Sequence, residues 1–368
     1  MESPKTDVAI TESNFSDTFL NKTVSTVRAQ HNEHGQLNET AANKDSWTTR
    51  AEYQTDNFKD RPDDFEDGIG NTTNQNGTLG SLFYSPCRLI YKPSKKYDEI
   101  VAKLIQMEDN GDFLEFDSYS SNAVDYFANT DPDIVAAVTV EQARCMLYRG
   151  KLKQVKCLAK RGHELARHTR FPPMFHARAL AVMSARCRNK NKFGSSNRCL
   201  EQAKQNLKSV YSYEELALFY ECYGTYLVCF LGNLPHPDEN LKKLALASFK
   251  KMSEVAQQDT RPRVRDKNRF YALILSARVL LDSNSLLGRR ERTVSKDSIA
   301  LAREYLEVIK KELWNSIPRC SQVQFRLVES DLYFRQGKFE EGRGLLLQCL
   351  DEARSLSFVT QVPIIIEV

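Results

Sequence analysis

The feature that most constrains the fold is a glycine-interrupted apolar pattern that occurs twice, with an offset of 187 residues. The stretch SDLYFRQGKFEEGRGLLLQCLDEARSLSF, residues 330–358, places Gly337 between two runs with helical apolar spacing. The stretch ARCMLYRGKLKQVKCLAKRGHELARHTRF, residues 143–171, does the same around Gly150. Glycine adopts the left-handed backbone of a tight turn at little cost. Each stretch therefore predicts two antiparallel helices joined at the glycine.

A small residue early in the second helix marks further copies of this hairpin. Its spacings along the chain are 41, 49, 57 and 40 residues, and the markers are Val155, Ser196, Ala245, Ala302 and Gly342. Asn191 takes the place of the turn glycine in the second copy. Solenoid repeats accept insertions at their turns, so unequal spacings still fit one repeated unit. With a preceding pair at 97–109 and about 116–129, the pattern predicts an all-α array of about six hairpins.

The hairpins resemble the tetratricopeptide repeat (TPR), a helix–turn–helix unit of about 34 residues. In the last unit, Tyr333 matches the aromatic residue late in the first helix, and Gly337 matches the turn. Phe339 matches the aromatic residue after the turn, and Leu346 and Cys349 match large and small positions of the second helix. The resemblance implies a TPR-like superhelical solenoid that serves as a scaffold or regulatory adaptor and binds a partner peptide or domain.

Composition divides the chain into four segments. Residues 1–80 are rich in Asn, Thr, Asp, Ser and Glu with scattered apolar residues, which predicts a disordered acidic N-terminal tail. Residues 81–96 are predicted to be a linker or docking segment, residues 97–357 the helical array, and residues 358–368 an apolar C-terminal extension. This extension either covers the exposed end of the last hairpin or offers its carboxyl end to a PDZ domain as an added strand.

The TPR resemblance also implies where a partner binds, because the first helix of each such repeat lines a concave groove. Carried over residue by residue, it implies eight candidate binding residues: Glu141, Arg144, Tyr148, Arg178, Arg188, Glu221, Asp331 and Arg335. If the arginines of this set converge inside the groove, we expect the partner to be an acidic or phosphorylated protein.

Charge is distributed unevenly along the chain. Residues 1–135 hold 12 Lys and Arg against 24 Asp and Glu, a net charge of −12. Residues 140–208, which we call the basic block, hold 17 against 3, a net charge of +14. The block lacks the acidic residues that usually accompany basic ones at i,i+4 on a helix surface. It is either a solvated helix surface or a site for RNA or another polyanion. The stacking candidates for RNA are Tyr148, Phe171, Phe175 and Phe193.

No sequence pattern predicts catalysis, a metal or a cofactor. His163 and His168 are five residues apart, on different faces of a helix, and no cluster of Cys or carboxylates completes a metal site. We therefore expect a protein that is not an enzyme. Seven of the nine cysteines lie among apolar neighbours, which predicts reduced core thiols: Cys145, Cys157, Cys187, Cys199, Cys222, Cys229 and Cys349. Without a signal-peptide pattern or a membrane-spanning apolar run, the sequence predicts a cytoplasmic protein with no membrane contact.

Deleting residues 1–80 is expected to leave the melting temperature of the remaining chain nearly unchanged. A segment that buries little apolar surface adds no core, so its loss removes no stabilising contact. Thermal unfolding of the full chain and of residues 81–368, followed by circular dichroism, measures this. A fall of many degrees in the shortened protein would mean that residues 1–80 fold and support the array.

Overall fold

A computed structural model describes residues 89–232, 234, 238–283 and 294–355. Contacts divide the chain into two units, Met1–Asn76 and Gly77–Val368, and every described residue belongs to the second. The disordered tail predicted for 1–80 and the extension predicted for 358–368 lie outside the described residues.

The described part of the chain contains twelve α-helices, which confirms the all-α fold. They are α1 (Lys95–Asn110), α2 (Phe113–Phe127), α3 (Pro132–Tyr148), α4 (Leu152–Leu165), α5 (Pro172–Asn189), α6 (Phe193–Leu207), α7 (Tyr213–Gly232), α8 (Glu239–Ala256), α9 (Pro262–Leu280), α10 (Lys296–Val308), α11 (Arg319–Arg335) and α12 (Phe339–Ser355). A 3-10 turn (Ala166–His168) follows α4, and a π turn (Ile309–Leu313) continues α10.

Two short strands accompany the helices and were not predicted. Strand β1 (Leu89–Ile90) and strand β2 (Val210–Tyr211) form a parallel pair in which Leu89 lies opposite Val210 and Ile90 opposite Tyr211. The pair joins the segment before α1 to the segment before α7. Main-chain hydrogen bonds hold it, and two-residue strands leave no side-chain period that a sequence could reveal.

Consecutive helices pair into six hairpins, from α1–α2 to α11–α12. In the described turns, one residue with positive φ follows the first helix; these residues are Gly111 (80°), Gly150 (69°), Asn191 (56°), Asp282 (52°) and Gly337 (75°). The amide of the next residue then donates to a carbonyl five residues back, as from Lys151 to Met146 and from Lys338 to Tyr333, both at 2.9 Å. This is the Schellman arrangement, which satisfies carbonyls that a helix end leaves without partners. The turns predicted at Gly150, Asn191 and Gly337 are confirmed.

The five small markers lie where the second helix of a hairpin crosses the first. Val155, Ser196, Ala245 and Ala302 are each 0% exposed, and Gly342 is buried as well. A side chain with a large end would not fit at these crossings, since core packing leaves no spare volume. The small-residue pattern read from the sequence therefore reports helix-to-helix packing.

The last hairpin packs against the first. Phe113 of α2 contacts the apolar cluster that contains Cys320, Val323 and Cys349 of α11 and α12. Neighbouring first helices also contact one another, from α1 through α3, α5, α7 and α9 to α11, and α11 contacts α1. The sequence predicted an array with an open end. A contact between the first and last hairpins cannot be read from a repeat pattern, because the pattern specifies only how neighbouring units pack.

Five of the seven cysteines predicted to be core thiols are buried, namely Cys145, Cys187, Cys222, Cys229 and Cys349. Cys199 is partly buried. The prediction is wrong for Cys157, which is exposed on α4 although its sequence neighbours include apolar residues.

Gly224→Ala is expected to lower the free energy of unfolding by about 1–3 kcal/mol, the usual range for overpacking a core. A Cβ atom at Gly224 of α7 would lie 2.5 Å from the ring of Phe249, which is 1% exposed on α8. The matched control is Gly344→Ala in α12, where a Cβ atom meets nothing within 4 Å. This control should gain about 0.5–1 kcal/mol, because alanine favours the helix over glycine. Urea denaturation measures both changes, and equal stability of the two variants would contradict the close approach of α7 to α8.

Candidate functional site

Ion pairs between the first helices connect three of the predicted groove residues. Arg144 of α3 pairs with Glu141 of the same helix at 2.8 Å and with Glu108 of α1 at 2.6 Å. Arg178 of α5 lies 3.6 Å from Glu141. Glu141, Arg144 and Arg178 therefore lie together in the structure. Sequence reasoning missed Glu108, which lies 36 residues before Arg144 on a helix with no assigned groove position.

The network continues from Arg178 into α7. Arg178 pairs with Glu215 and, at 3.2 Å, with Glu214, both in the first turn of α7. Its Nη1 donates a hydrogen bond to the Tyr97 hydroxyl of α1 at 3.1 Å. All three nitrogens of this guanidinium thus have partners, and the residue is only 3% exposed. Such a side chain is a structural anchor, because breaking a buried pair leaves an uncompensated charge.

Helix α9 adds a second set of cations that face α1. Arg261, just before α9, pairs with Glu214 at 3.0 Å, with Asp98 at 3.1 Å and with Asp259 at 2.9 Å. Lys267 pairs with Asp109 at 3.2 Å. These cations come from the run RPRVRDKNR, residues 261–269. The partners on α1 lie 158 to 163 residues away, so only the fold reveals them.

Arg144 of α3 and Arg178 of α5 therefore have carboxylates of this chain as partners. The sequence argument for an acidic partner required Arg144 and Arg178 to present their charge to the groove. Glu108, Glu141 and Glu215 already neutralise these two side chains. Between α3 and α5, the chain's own side chains take the place that an acidic ligand would occupy.

Three predicted residues lie near Tyr271 of α9 in a region that we call the central concavity: Tyr148, Arg188 and Glu221. Tyr148 is 38% exposed and lies within electrostatic reach of Glu108, Arg144 and Glu221. Glu221 and Tyr148 lie within electrostatic reach of Tyr271. Burial raises the pKa of Glu221, against the opposing charges of Arg144, Lys267 and Arg188.

Arg188 of the central concavity has hydrogen-bond donors without partners. Its Nε and Nη1 atoms are buried and have no hydrogen-bond partner among the described residues. A buried donor without a partner costs about 1–3 kcal/mol. A hydrogen-bond acceptor brought by a partner would recover that cost once the Arg188 side chain turned these atoms toward it.

The two predicted residues of α11 connect helices instead of joining the network at Arg144. Nε of Arg335 donates to the carbonyl of Leu281, just after α9, at 3.2 Å. Asp331 acts on Arg278 of α9: burial lowers the pKa of Arg278, and the Asp331 carboxylate opposes this shift. Their positions support the packing of α11 on α9.

The basic block is less available to a polyanion than its composition predicted. Arg149 pairs with Asp117 of α2 at 2.8 Å, and Arg170 pairs with Asp133 at 2.8 Å. The block itself contains few acids, and its arginines pair instead with Asp117 of the preceding hairpin and with Asp133 at the start of α3. Of the four stacking candidates, Phe175 is 0% exposed, Phe171 packs against the core, and Phe193 contacts Tyr226 and Phe230.

A pair of histidines was not predicted. Nδ1 of His163 on α4 lies 3.0 Å from Nδ1 of His176 on α5. Burial lowers the pKa of both rings, that of His176 to about 4. Within the described residues, no group of three or more His, Cys, Asp or Glu side chains has the arrangement of a metal site.

Comparison with known proteins does not assign the chain to a family. No protein-family model matches the chain, and no curated protein matches its sequence. Among the described residues, no helix has both the length and the apolar content that a membrane span requires.

Replacing Glu108 is expected to change how stability depends on pH. Burial raises the pKa of Glu108 to about 7, against the attraction of Arg144. The unfolded pKa is about 4.3, so between these values the folded chain holds a proton that the unfolded chain has released. Glu108 therefore makes the folded state less stable as pH rises through this window, whereas a glutamine at the same position does not titrate.

In the Glu108→Gln variant, the free energy of unfolding should gain about 1–3 kcal/mol relative to the wild type as pH rises from about 5 to about 8. Urea denaturation across this range measures the difference. Glu254→Gln, at the exposed ion pair with Lys251, reports the effect of losing a surface carboxylate and is subtracted. A difference that does not vary with pH would contradict the raised pKa.

Proposed function

We propose that this protein is a TPR-like scaffold or regulatory adaptor that binds a protein partner through the central concavity. The observation that carries the proposal is the presence, on either side of Glu221, of an exposed aromatic ring and a guanidinium with unsatisfied donors. Tyr148 is 38% exposed, and Arg188 has two buried nitrogens without partners among the described residues. Tyr and Arg are enriched among the residues that contribute most to protein interfaces.

The geometry supports a partner segment with one acceptor and one apolar group. A carboxylate, a phosphorylated side chain or a main-chain carbonyl would accept from Arg188. A ring or an aliphatic side chain would pack on Tyr148, and a donor would face Glu221. The central concavity combines a cation (Arg188), an anion (Glu221) and an aromatic ring (Tyr148). This combination favours a partner with both polar and apolar atoms over a uniform polyanion.

Binding without catalysis and a cytoplasmic location belong to the same proposal. All eight described cysteines are free thiols, as expected in a reducing compartment. RNA binding by the basic block has less support, because Arg144, Arg149, Arg170 and Arg178 already pair with carboxylates of the chain.

Tyr148→Ala and Arg188→Gln are expected to remove the same partner from the protein. Loss of an interface residue of this kind costs about 2 kcal/mol, or roughly 30-fold in affinity. Affinity purification of tagged full-length protein from cell extract, followed by quantitative mass spectrometry, measures the loss. Tyr126→Ala is the matched control, because Tyr126 is 77% exposed on α2 and lies outside the central concavity.

The proposal requires a partner that both concavity variants lose and the control variant keeps. If all three variants retain the same proteins, the concavity is not the binding site. If RNA remains bound to all three and is lost only when exposed lysines of the basic block are changed to Glu, RNA binding is the function.

A further inference from the structure

A cavity of about 310 Å³ lies beside the N-termini of α1, α7 and α9. We call it the tyrosine pocket, because four tyrosines line it: Tyr91, Tyr97, Tyr211 and Tyr213. Its volume is at the lower end of the range for small-molecule sites, which is about 300–1,000 Å³. The pocket shares no residue with the central concavity, so a ligand bound in it is independent of the proposed function.

The backbone places the rings of the pocket around one space. The amide of Tyr91 donates to the carbonyl of Tyr211 at 3.2 Å, which extends the β1–β2 pairing and holds the two residues side by side. The ring centroids of Tyr211 and Tyr213 are 4.9 Å apart with perpendicular planes, and those of Tyr91 and Tyr97 are 5.9 Å apart at 73°. The face of a tyrosine ring attracts a cation within about 6 Å of its centroid.

Carboxylates outnumber guanidinium groups in the lining. The lining contains two arginines, Arg178 and Arg261, and four carboxylates. When all six are ionised, their net charge is −2. The carboxylates are Asp98, Glu214, Glu215 and Asp259. Lys92 lines the pocket as well but is exposed. Both guanidinium groups already hold carboxylates, so an anion would have to break an ion pair to bind. A cation would instead meet the surplus negative charge.

Two polar atoms of the lining lack partners. Oε2 of Glu215 has no hydrogen-bond partner among the described residues, in a side chain that is only 2% exposed. The Tyr91 hydroxyl is buried and likewise has no partner there. Helix N-termini attract anions, but Glu214 and Glu215 already occupy the first turn of α7. The free oxygen of Glu215 therefore favours a ligand that is positively charged or donates a hydrogen bond.

We propose that the tyrosine pocket binds an alkylammonium cation. The rings supply cation–π attraction to the charged head, and Glu215 supplies the balancing negative charge at the inner wall. Two sources carry this chemistry: a free molecule with a choline-type head, and a methylated lysine side chain of another protein. Both present a compact apolar cation, which matches a small pocket with aromatic walls and an acidic lining.

The test compares choline with 3,3-dimethylbutan-1-ol, an uncharged molecule of the same shape in which carbon replaces the nitrogen. Isothermal titration of the full-length protein at neutral pH should show choline binding roughly tenfold tighter, the effect expected of a desolvated cation–π contact. N-acetyl-trimethyllysine methylamide, titrated in parallel, distinguishes the sources. Tighter binding of the amide than of choline indicates a protein-borne ligand, and the reverse order indicates a free one.

Variants locate the site. Tyr213→Leu should weaken choline binding about fivefold or more, whereas Tyr213→Phe keeps the ring and should stay within about twofold. Glu215→Gln, which removes the negative charge, should weaken binding by a similar factor and provides a second measurement if Tyr213→Leu does not fold. Tyr126→Leu, on the exposed surface of α2, is the control and should bind choline like the wild type.

Three results would each overturn the proposal. Equal binding of choline and its uncharged counterpart would show a merely apolar cavity. No detectable binding of either cation at concentrations on the order of 10 mM would show that the pocket does not hold an ammonium group. Unchanged choline binding in both Tyr213→Leu and Glu215→Gln would place the cation elsewhere on the protein.

Discussion

The buried guanidinium of Arg178 is the interaction on which the arrangement of the first helices depends. It pairs with Glu214 and Glu215 of α7, lies 3.6 Å from Glu141 of α3 and donates to Tyr97 of α1. One side chain of α5 thus connects four first helices. Removing a charge from water costs several kcal/mol per ion, and only close partners with good geometry offset that cost. This requirement restricts how α1, α3, α5 and α7 can pack.

Ion pairs also connect acids before residue 135 to arginines of the basic block. Arg144 pairs with Glu108, Arg149 with Asp117 and Arg170 with Asp133, across 36, 32 and 37 residues of sequence. These separations are close to the length of one helical hairpin. In these three pairs, acids of one repeat neutralise bases of the next. The i,i+4 spacing within one helix does not reveal these pairs, because their partners are separated by about the length of one repeat.

The two candidate sites use different parts of the first helices. The tyrosine pocket lies at N-termini, where Tyr213, Glu214 and Glu215 begin α7. The central concavity draws on residues near helix C-termini, such as Tyr148 and Arg188. Arg178 and its carboxylates lie along the same helices, so a ligand that changes the charge of Glu215 acts directly on the network. Burial raises the pKa of Glu215 to about 7, and Arg178 opposes this shift, so a change in nearby charge alters its ionisation near neutral pH.

The sequence by itself determined the all-α class, the hairpins, the turns at Gly150, Asn191 and Gly337, and the small residues buried at helix crossings. These features follow from local rules of backbone conformation and from a packing pattern that repeats along the chain. Only the tertiary structure decided the partners of Arg178, the contact of α11 with α1, and the β1–β2 pairing that builds the tyrosine pocket. Asp98 and Arg261 lie 163 residues apart, and no local period connects them. The physical reason is that charge pairing and aromatic contacts depend on distance in space, which a repeat pattern specifies only between neighbouring units.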